Sequence, residues 1–184
     1  ISGSYSFTFN LGTASLAIDG RRVLVWPFMP QTTHREALEW KTDVIQSFSS
    51  EQRIALRAEP RQSFNYTYML TPHEFSMAKA LSTQWAHRVY GIPVWSELSH
   101  VGPIPMGTTS ISVDTTAADY RSNDVIIVWQ DSENELAVET TSVQAGSISL
   151  KLPLPRSFTN AYVAPLRFAR TYSGVDYTRA GGEV

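Results

Sequence analysis

The chain has 184 residues, of which 42% are apolar and 17% charged, with a formal net charge of -2 and no cysteine. Enough apolar residue is present to build a core, which excludes a disordered chain. The near-neutral charge argues against a general binder of nucleic acid or membrane surfaces, and the missing thiols exclude disulfides and thiolate metal sites.

The charge is unevenly spread. Residues 1–100 carry 9 Lys/Arg against 8 Asp/Glu, and residues 101–184 carry 6 against 9, so the second half is mildly acidic. No apolar run approaches the roughly 18 residues of a spanning helix. The start, ISGSYSFTFN, lacks the basic region and apolar block of a signal peptide, and its first residue is not Met. A processed chain, or a fragment of a longer one, is the expectation.

Taken in chain order, Tyr5, Phe7, Phe9 and Leu11 alternate as in a strand; Gly12 interrupts and Ser15 to Ile18 resumes. Asp19-Gly20 is a tight-turn dipeptide. Val23 to Trp26 is a short apolar run that Pro27 and Pro30 end. A long hairpin is expected next, with Leu38 to Phe48 as one arm, Ser49 to Gln52 as the turn and Arg53 to Glu59 as the return. On the return, Ile54, Leu56 and Ala58 alternate with Arg53, Ala55, Arg57 and Glu59, which reads as a half-buried strand with a charged outer face. Pro60 breaks it, and Phe64 to Leu70 reads as a third strand.

The spacing then predicts a helix over Pro72 to Tyr90. Thr71 is the N-cap, Pro72 sits at N1 and Glu74 at N3, completing a capping box. Phe75, Ala78, Leu81, Trp85 and Val89 form its apolar stripe, Gly91 suits the C′ position and Pro93 prevents continuation. His100 to Ser110 is rich in Gly and Pro and reads as a linker. Strands are expected at Ser110 to Asp114, Asp124 to Gln130, Glu135 to Ser142, Ser147 to Leu152 and Ala161 to Phe168, with hairpin connections at SEN and QAG. These suit a small antiparallel barrel or sandwich. The last residues, TRAGGEV, are expected to be loose.

Chemistry-bearing motifs are sparse. His34, His73, His87 and His100 have no metal-ligand spacing, so surface or capping roles are expected. Asp131 to Glu135, DSENE, lacks the glycine and distal Glu of a calcium loop and reads as a solvated turn. No G-x-S-x-G and no Gly-rich phosphate loop occurs. Glu36 with Glu39, or Asp43 with Glu51, could on paper serve glycoside hydrolysis, but such pairs arise by chance in a β-rich chain with many exposed acids. Trp26, Trp40, Trp85, Trp95 and Trp129 could stack sugars, although apolar neighbours favour core positions. No cofactor and no metal is expected.

Three arginines, Arg53, Arg57 and Arg61, crowd the run EQRIALRAEPR. Two readings stand. They pair within the hairpin with Glu39, Asp43 or Glu59, each pair contributing a fraction of a kcal/mol. Alternatively they meet carboxylates of a neighbouring copy, for which the guanidinium fork is suited. The candidate inter-subunit residues are therefore Arg53, Arg57, Arg61, Glu39 and Asp43.

Three of these runs, in order, resemble a group of tail proteins of long-tailed, non-contractile bacteriophages: VLVWPFMP (Val23 to Pro30), LEWKTDV (Leu38 to Val44) and EQRIALRAEPR (Glu51 to Arg61). Members of that group look like W-P-x-x-P, E-W-L-T-D-V and E-Q-R-x-A-L-R-x-x-P-R, followed by an aromatic strand and an amphipathic helix. PVWSE, Pro93 to Glu97, is similar too. The match covers about residues 23–100. It departs at Lys41, often apolar in the group, and at Ser49-Ser50, where a glycine-bearing turn is common.

The resemblance implies a distal tail or tail-tip structural protein without catalysis. It implies a mainly β chain with one amphipathic α-helix, divided into an N-terminal β extension (1–22), a tail-tube-like β-sandwich with a long hairpin plus the helix at 72–90 (23–100), a small antiparallel β-barrel or sandwich (101–170) and a C-terminal tail (171–184). It implies a homo-oligomeric ring, hexameric in the related tube proteins, that touches the tail tube protein, tail-tip hub or baseplate proteins and tail fibres. DNA is passing cargo only and no membrane is involved. The location implied is the virion tail tip, with host cytoplasm during assembly. Two rivals remain: a glycan-binding β-sandwich that recognises a host surface, supported if two or three Trp or Tyr rings are exposed and coplanar; and a cell-wall hydrolase, supported if two carboxylates share a cleft roughly 5–10 Å apart.

Overall fold

A computed structural model of the chain describes residues 2–9, 12–19, 24–31, 34–46, 48, 50–85, 88–171, 176 and 178. The fold is mainly β with one α-helix. It falls into two compact units, Ile1–Pro27 with Ser76–Val184, and Phe28–Phe75. The division is thus not sequential: the second unit is an excursion from the first. Position 100, where composition suggested a boundary, lies inside a strand.

The first unit opens with a hairpin, β1 (Ser2–Phe9) against β2 (Gly12–Asp19), paired without a slip from Ser2↔Asp19 to Phe9↔Gly12. Gly12 is therefore the first residue of a return strand, and what looked like an interruption is a reversal of direction. Gly20 and the residues just after it lie outside the described ones.

A seven-stranded sheet carries the core. Its strands are β7 (Tyr90–Pro93), β8 (Ser99–Ile104), β9 (Ser110–Ser112), β10 (Val125–Trp129), β11 (Glu135–Gln144), β12 (Ser147–Leu150) and β13 (Phe158–Ala169). They run in the order β7-β13-β10-β11-β12-β9, with β8 also on β13. The path ends at β7 and β9 without closing into a barrel among the described residues. The strand pairings of this sheet are antiparallel.

Strand β10 shows why the sheet is stable. VIIVW is a continuous apolar run, the pattern of a strand buried on both faces. Ile126 and Val128 enter one cluster with Ile104, Ile111, Ile148 and Val163. Val125 and Ile127 enter the other with Val25, Ala164 and Leu166. The first cluster draws residues from β8 and from β9 at the far end of the path, so the sheet curls around it.

Local chemistry shapes the connections. Gln144↔Ser147 closes a two-residue loop in which Gly146 holds φ +81°, a conformation costly for other residues. Asp131 closes the β10–β11 turn: its carboxylate accepts from the backbone N–H of Glu133 at 2.9 Å and of Asn134 at 2.8 Å. DSENE is therefore a self-satisfied Asx turn. Where β13 slips register between Phe158 and Ala161, Gln130 Oε1 accepts from Thr159 N at 2.9 Å and Asn160 N at 3.2 Å, satisfying donors the bulge would otherwise strand.

Two expectations change here. The Gly/Pro stretch from His100 contains strand β8 rather than a linker. Gly102 takes φ +77° at the register slip opposite Ala161, and Pro103 is tolerated because, among the described residues, β8 pairs with β13 on one edge only. The helix, α1, spans Pro72–Trp85 rather than reaching Tyr90. Its start is as expected: Glu74 N–H donates to Thr71 Oγ1 at 3.3 Å and Thr71 N–H to Glu74 Oε2 at 3.0 Å. Its end is not, because Tyr90, Gly91 and Pro93 form β7. Gly91 is buried, exchanges backbone bonds with Leu24 and Trp26, and pairs Phe168 on its other side. A tertiary ladder on both edges overrides the local stop signal.

The segment between β9 and β10 is pinned to β13. Arg167, 13% exposed at its side chain, donates to Asp119 Oδ2 at 2.8 Å and Asp124 Oδ2 at 3.3 Å. The Arg121 hydrogen bond, with Arg167 adding to it, holds the Asp119 carboxyl below its ordinary 3.8 against the opposing effect of burial. That contribution to stability is present above 3.8 and is lost as pH falls below it. Tyr120 is buried and donates to the Val163 carbonyl at 3.1 Å. Burial pushes its phenol up to about 12; a Ser99 hydrogen bond opposes the rise and Glu97 adds to it. The unfolded phenol ionises near 10.0, so this contribution is intact below that pH and drains away as pH rises towards 12. Tyr120→Phe is expected to cost about 1 kcal/mol at neutral pH. The gap to the natural chain should narrow as pH rises from about 10 towards about 12, read as urea midpoints.

Candidate assembly interface

The second unit is built around one long arm. β3 (His34–Glu39) pairs β6 (Arg61–Tyr66) from His34↔Tyr66 to Glu39↔Arg61. Beyond them β4 (Thr42–Gln46) pairs β5 (Glu51–Ala55) from Thr42↔Ala55 to Gln46↔Glu51. At about 3.3 Å per residue the outgoing side, residues 34–46, is at most about 40 Å of extended chain.

This corrects the expected hairpin in three ways. The outgoing arm is two strands divided at Trp40-Lys41, not one. The return strand stops at Ala55. The supposed third strand, Phe64 to Leu70, is the basal return of the same hairpin and stops at Tyr66. The cause is a mismatch in length: two residues, 40 and 41, face five, Leu56 to Pro60. Three residues are in excess and Pro60 lacks a donor, so the ladder breaks and resumes at Arg61. Leu56 N–H still reaches the Lys41 carbonyl at 2.9 Å.

The break also separates the arginines. Arg53 lies on β5 opposite Val44 and pairs with Glu51 two residues away on its own strand. Arg57 lies in the excess segment, where its Nη1 is enclosed without an acceptor. Arg61 opens β6 directly opposite Glu39. Asp43 faces Ile54 across the ribbon, not an arginine. Of the five candidates the structure brings only Glu39 and Arg61 into register, and the three arginines form no common stripe.

The arm's dominant feature is apolar and was not singled out by charge. Return strand β5 is exposed along its whole length rather than half-buried. Trp40 is 62% exposed, Ile45 50% and Ile54 38%; Leu38, Val44 and Leu56 are similarly open, and Phe48 at the tip is fully exposed. The register puts Ile45 and Ile54 on one face of the distal ribbon and Val44 on the other. The signal was present in the sequence as Val44-Ile45: adjacent apolar residues in a strand address opposite faces. An isolated two-stranded ribbon is marginal in water, and clustered exposed apolar residues mark an interaction surface. Near the base, by contrast, Phe64 stacks on Tyr66 at 5.7 Å and Gln62 Nε2 donates to Glu36, so that part is internally braced.

The tryptophans do not form a platform. Trp95 is buried and meets Trp129 edge-on, at 5.5 Å and 86°. Trp129 donates its indole N–H to the Pro27 carbonyl at 2.9 Å. Trp26 meets Tyr90 at 88°, and Trp85 carries the Arg88 guanidinium 4.3 Å above its ring. Among the described residues no group of three or more His, Asp or Glu is placed to hold a metal ion, and none of the helices is long and apolar enough to cross a membrane. His87 and residues 179–184 of the terminal TRAGGEV run lie outside the described residues. No protein-family model matches the chain, and no curated protein matches it.

Proposed function

We propose that this chain is a structural protein of a bacteriophage virion that forms a closed ring at the distal end of the tail, joining tail tube to tip hub and fibres around a channel for DNA. The observation that carries the reading is the arm: two successive two-stranded ladders, with apolar residues open on both faces of the distal one. A surface of that kind is completed by another molecule. The ordered resemblance of Val23–Pro30, Leu38–Val44 and Glu51–Arg61 to tail proteins supplies the setting, and the β-rich fold with one helix accords with a tube-like subunit.

Catalysis has no part in the proposal; shape is the product. A ring of one protein needs contacts in which each copy offers one surface and receives on another. The arm is the offered surface, and Glu39 opposite Arg61 is a charged pair of residues midway along it, beside the break. The glycan-binding alternative called for coplanar exposed rings, whereas the Trp95–Trp129 and Trp26–Tyr90 pairs meet edge-on.

Cryo-electron microscopy of particles carrying this chain is the test. A ring of this subunit at the distal end of the tail, with residues 42–55 between copies, is expected. Particles in which the subunit sits elsewhere, or in which residues 42–55 are bare to solvent, overturn the proposal.

A further inference from the structure

The two faces of the distal arm differ in charge. On one, Asp43 and Ile45 lie opposite Ile54 and Gln52, so a carboxylate at the proximal end is the only formal charge. On the other, Glu51 and Arg53 accompany Val44. Ile45 and Ile54 are partly open to solvent. Asp43 forms no ion pair among the described residues. A surface that completes this face is apolar and supplies one cation at its border.

The seven-stranded sheet carries such a surface on the loops that follow β8 and β12. Two backbone bonds clasp these loops: Gly107 N–H donates to the Leu154 carbonyl at 2.9 Å, and Leu154 N–H to the Thr108 carbonyl at 3.0 Å. Leu154 is buried in the core, whereas Met106 and Leu152 are 70% and 73% exposed. Pro105, Pro153 and Pro155 are exposed with them, and their fixed φ angles limit the entropy lost when the loops are covered. Residues 102–113 and 152–155 carry no charge. Lys151, at one border, is already paired with Glu139. Arg156, at the other, donates to the Glu135 carbonyl and lies 5.2 Å over the Phe158 ring. It forms no ion pair among the described residues, and its guanidinium keeps donors for a carboxylate. We infer that the Ile45–Ile54 face of the arm in one copy lies on the Met106–Leu152 patch of the next copy, with Asp43 on Arg156. The inference rests on the ring reading above and gives that ring its receiving surface.

The two surfaces match in scale. Asp43 directly faces Ile54, and Ile45 lies two residues on, about 7 Å along the ribbon. Arg156 is four residues from Leu152, at most about 13 Å away. An Asp43–Arg156 pair therefore brings Ile45 and Ile54 within reach of Leu152. Five residues of ribbon, roughly 16 Å by 10 Å, cover on the order of 160 Å² per partner, far below what a stable pair needs. Each copy must give its arm to one neighbour and its patch to the other, so that a closed ring holds where a lone dimer does not.

Exchanging the two charges in the full chain tests the contact. Asp43→Lys and Arg156→Glu are each expected to weaken self-association roughly tenfold, and the chain carrying both to return to within about threefold of the natural one. Analytical ultracentrifugation reads the association, and unchanged melting temperatures separate it from unfolding. If a reversal fails to fold, cysteine bridging reads the same contact, since the chain has no cysteine of its own. Ile45→Cys and Met106→Cys chains, purified separately, are mixed and joined with a short bis-maleimide. They are expected to give roughly tenfold more bridged pair than Val44→Cys with Met106→Cys, because Val44 addresses the opposite face. Either reversal leaving association unchanged, a double variant no better than the weaker single one, or equal bridging from Ile45 and Val44 overturns this contact and leaves the ring standing. A natural chain that stays monomeric at every concentration overturns the ring reading and this contact together.

Discussion

Serine at Ile45, Phe48 and Ile54 together is expected to leave the chain monomeric at concentrations where the natural sequence self-associates. Phe48 is fully and Ile45 and Ile54 are partly exposed in the single chain, and none belongs to the buried core clusters, so their replacement leaves the core of the folded monomer intact. In an assembly each buries an apolar side chain at about 1.5 kcal/mol or more. Three such losses amount to about 4.5 kcal/mol, roughly a thousandfold in each copy-to-copy contact. Analytical ultracentrifugation over a concentration series reads the effect, and an unchanged melting temperature separates it from unfolding. Alanine at Arg57 and Arg61 is expected to do far less, because the structure parts these residues and exposed ion pairs contribute little. An arginine pair that matters more than the three apolar residues contradicts the ranking.

Ile127→Ala is expected to have the opposite profile. Ile127 is fully buried at the centre of β10, where Ala164 and Leu166 of β13 join its cluster. Truncation loses transfer free energy and leaves a cavity, at a cost of about 2–5 kcal/mol. For a chain of this length that lowers the melting temperature by roughly 5–15 °C. Chemical denaturation checks it: the midpoint should fall with the slope unchanged. Folded Ile127→Ala chains should still associate like the natural one, since the arm is untouched. Together the two substitutions separate what holds the sheet from what joins copies.

The parts of the fold that were legible in the sequence are those decided by neighbours along the chain. Thr71, Pro72 and Glu74 announce the helix start through bonds that span three residues, and those bonds form. Strands β10 to β13 are legible because VIIVW and its partners are bounded by turn residues that close locally, Asp131 and Gly146 among them. What was obscured depends on residues distant in sequence. Gly91 has the chemistry of a helix stop, but its backbone is claimed by Leu24, Trp26 and Phe168. Gly102 and Pro103 look like linker residues until β13 offers a ladder whose slip one of them absorbs and whose free edge the other tolerates.

The arm was legible as a hairpin, whereas the exposure of its apolar residues was not. Alternation through Ile54, Leu56 and Ala58 runs straight across the break, because period two cannot register three excess residues on one side only. The same alternation implied burial of one face. Burial, however, depends on what lies opposite, and in the single chain Ile54 stays partly open. Charge drew attention to Arg53, Arg57 and Arg61, which the break scatters; the proposed contact rests instead on the exposed apolar residues of the distal ribbon.

Amide hydrogen exchange across residues 42–55, compared between the dilute chain and its assembled form, bears most directly on the arm as a joint between copies. The two-stranded ribbon should exchange fast when alone and at least tenfold slower once assembled, while residues 125–129 stay slow in both states. Equally fast exchange of residues 42–55 in the assembled form contradicts the account.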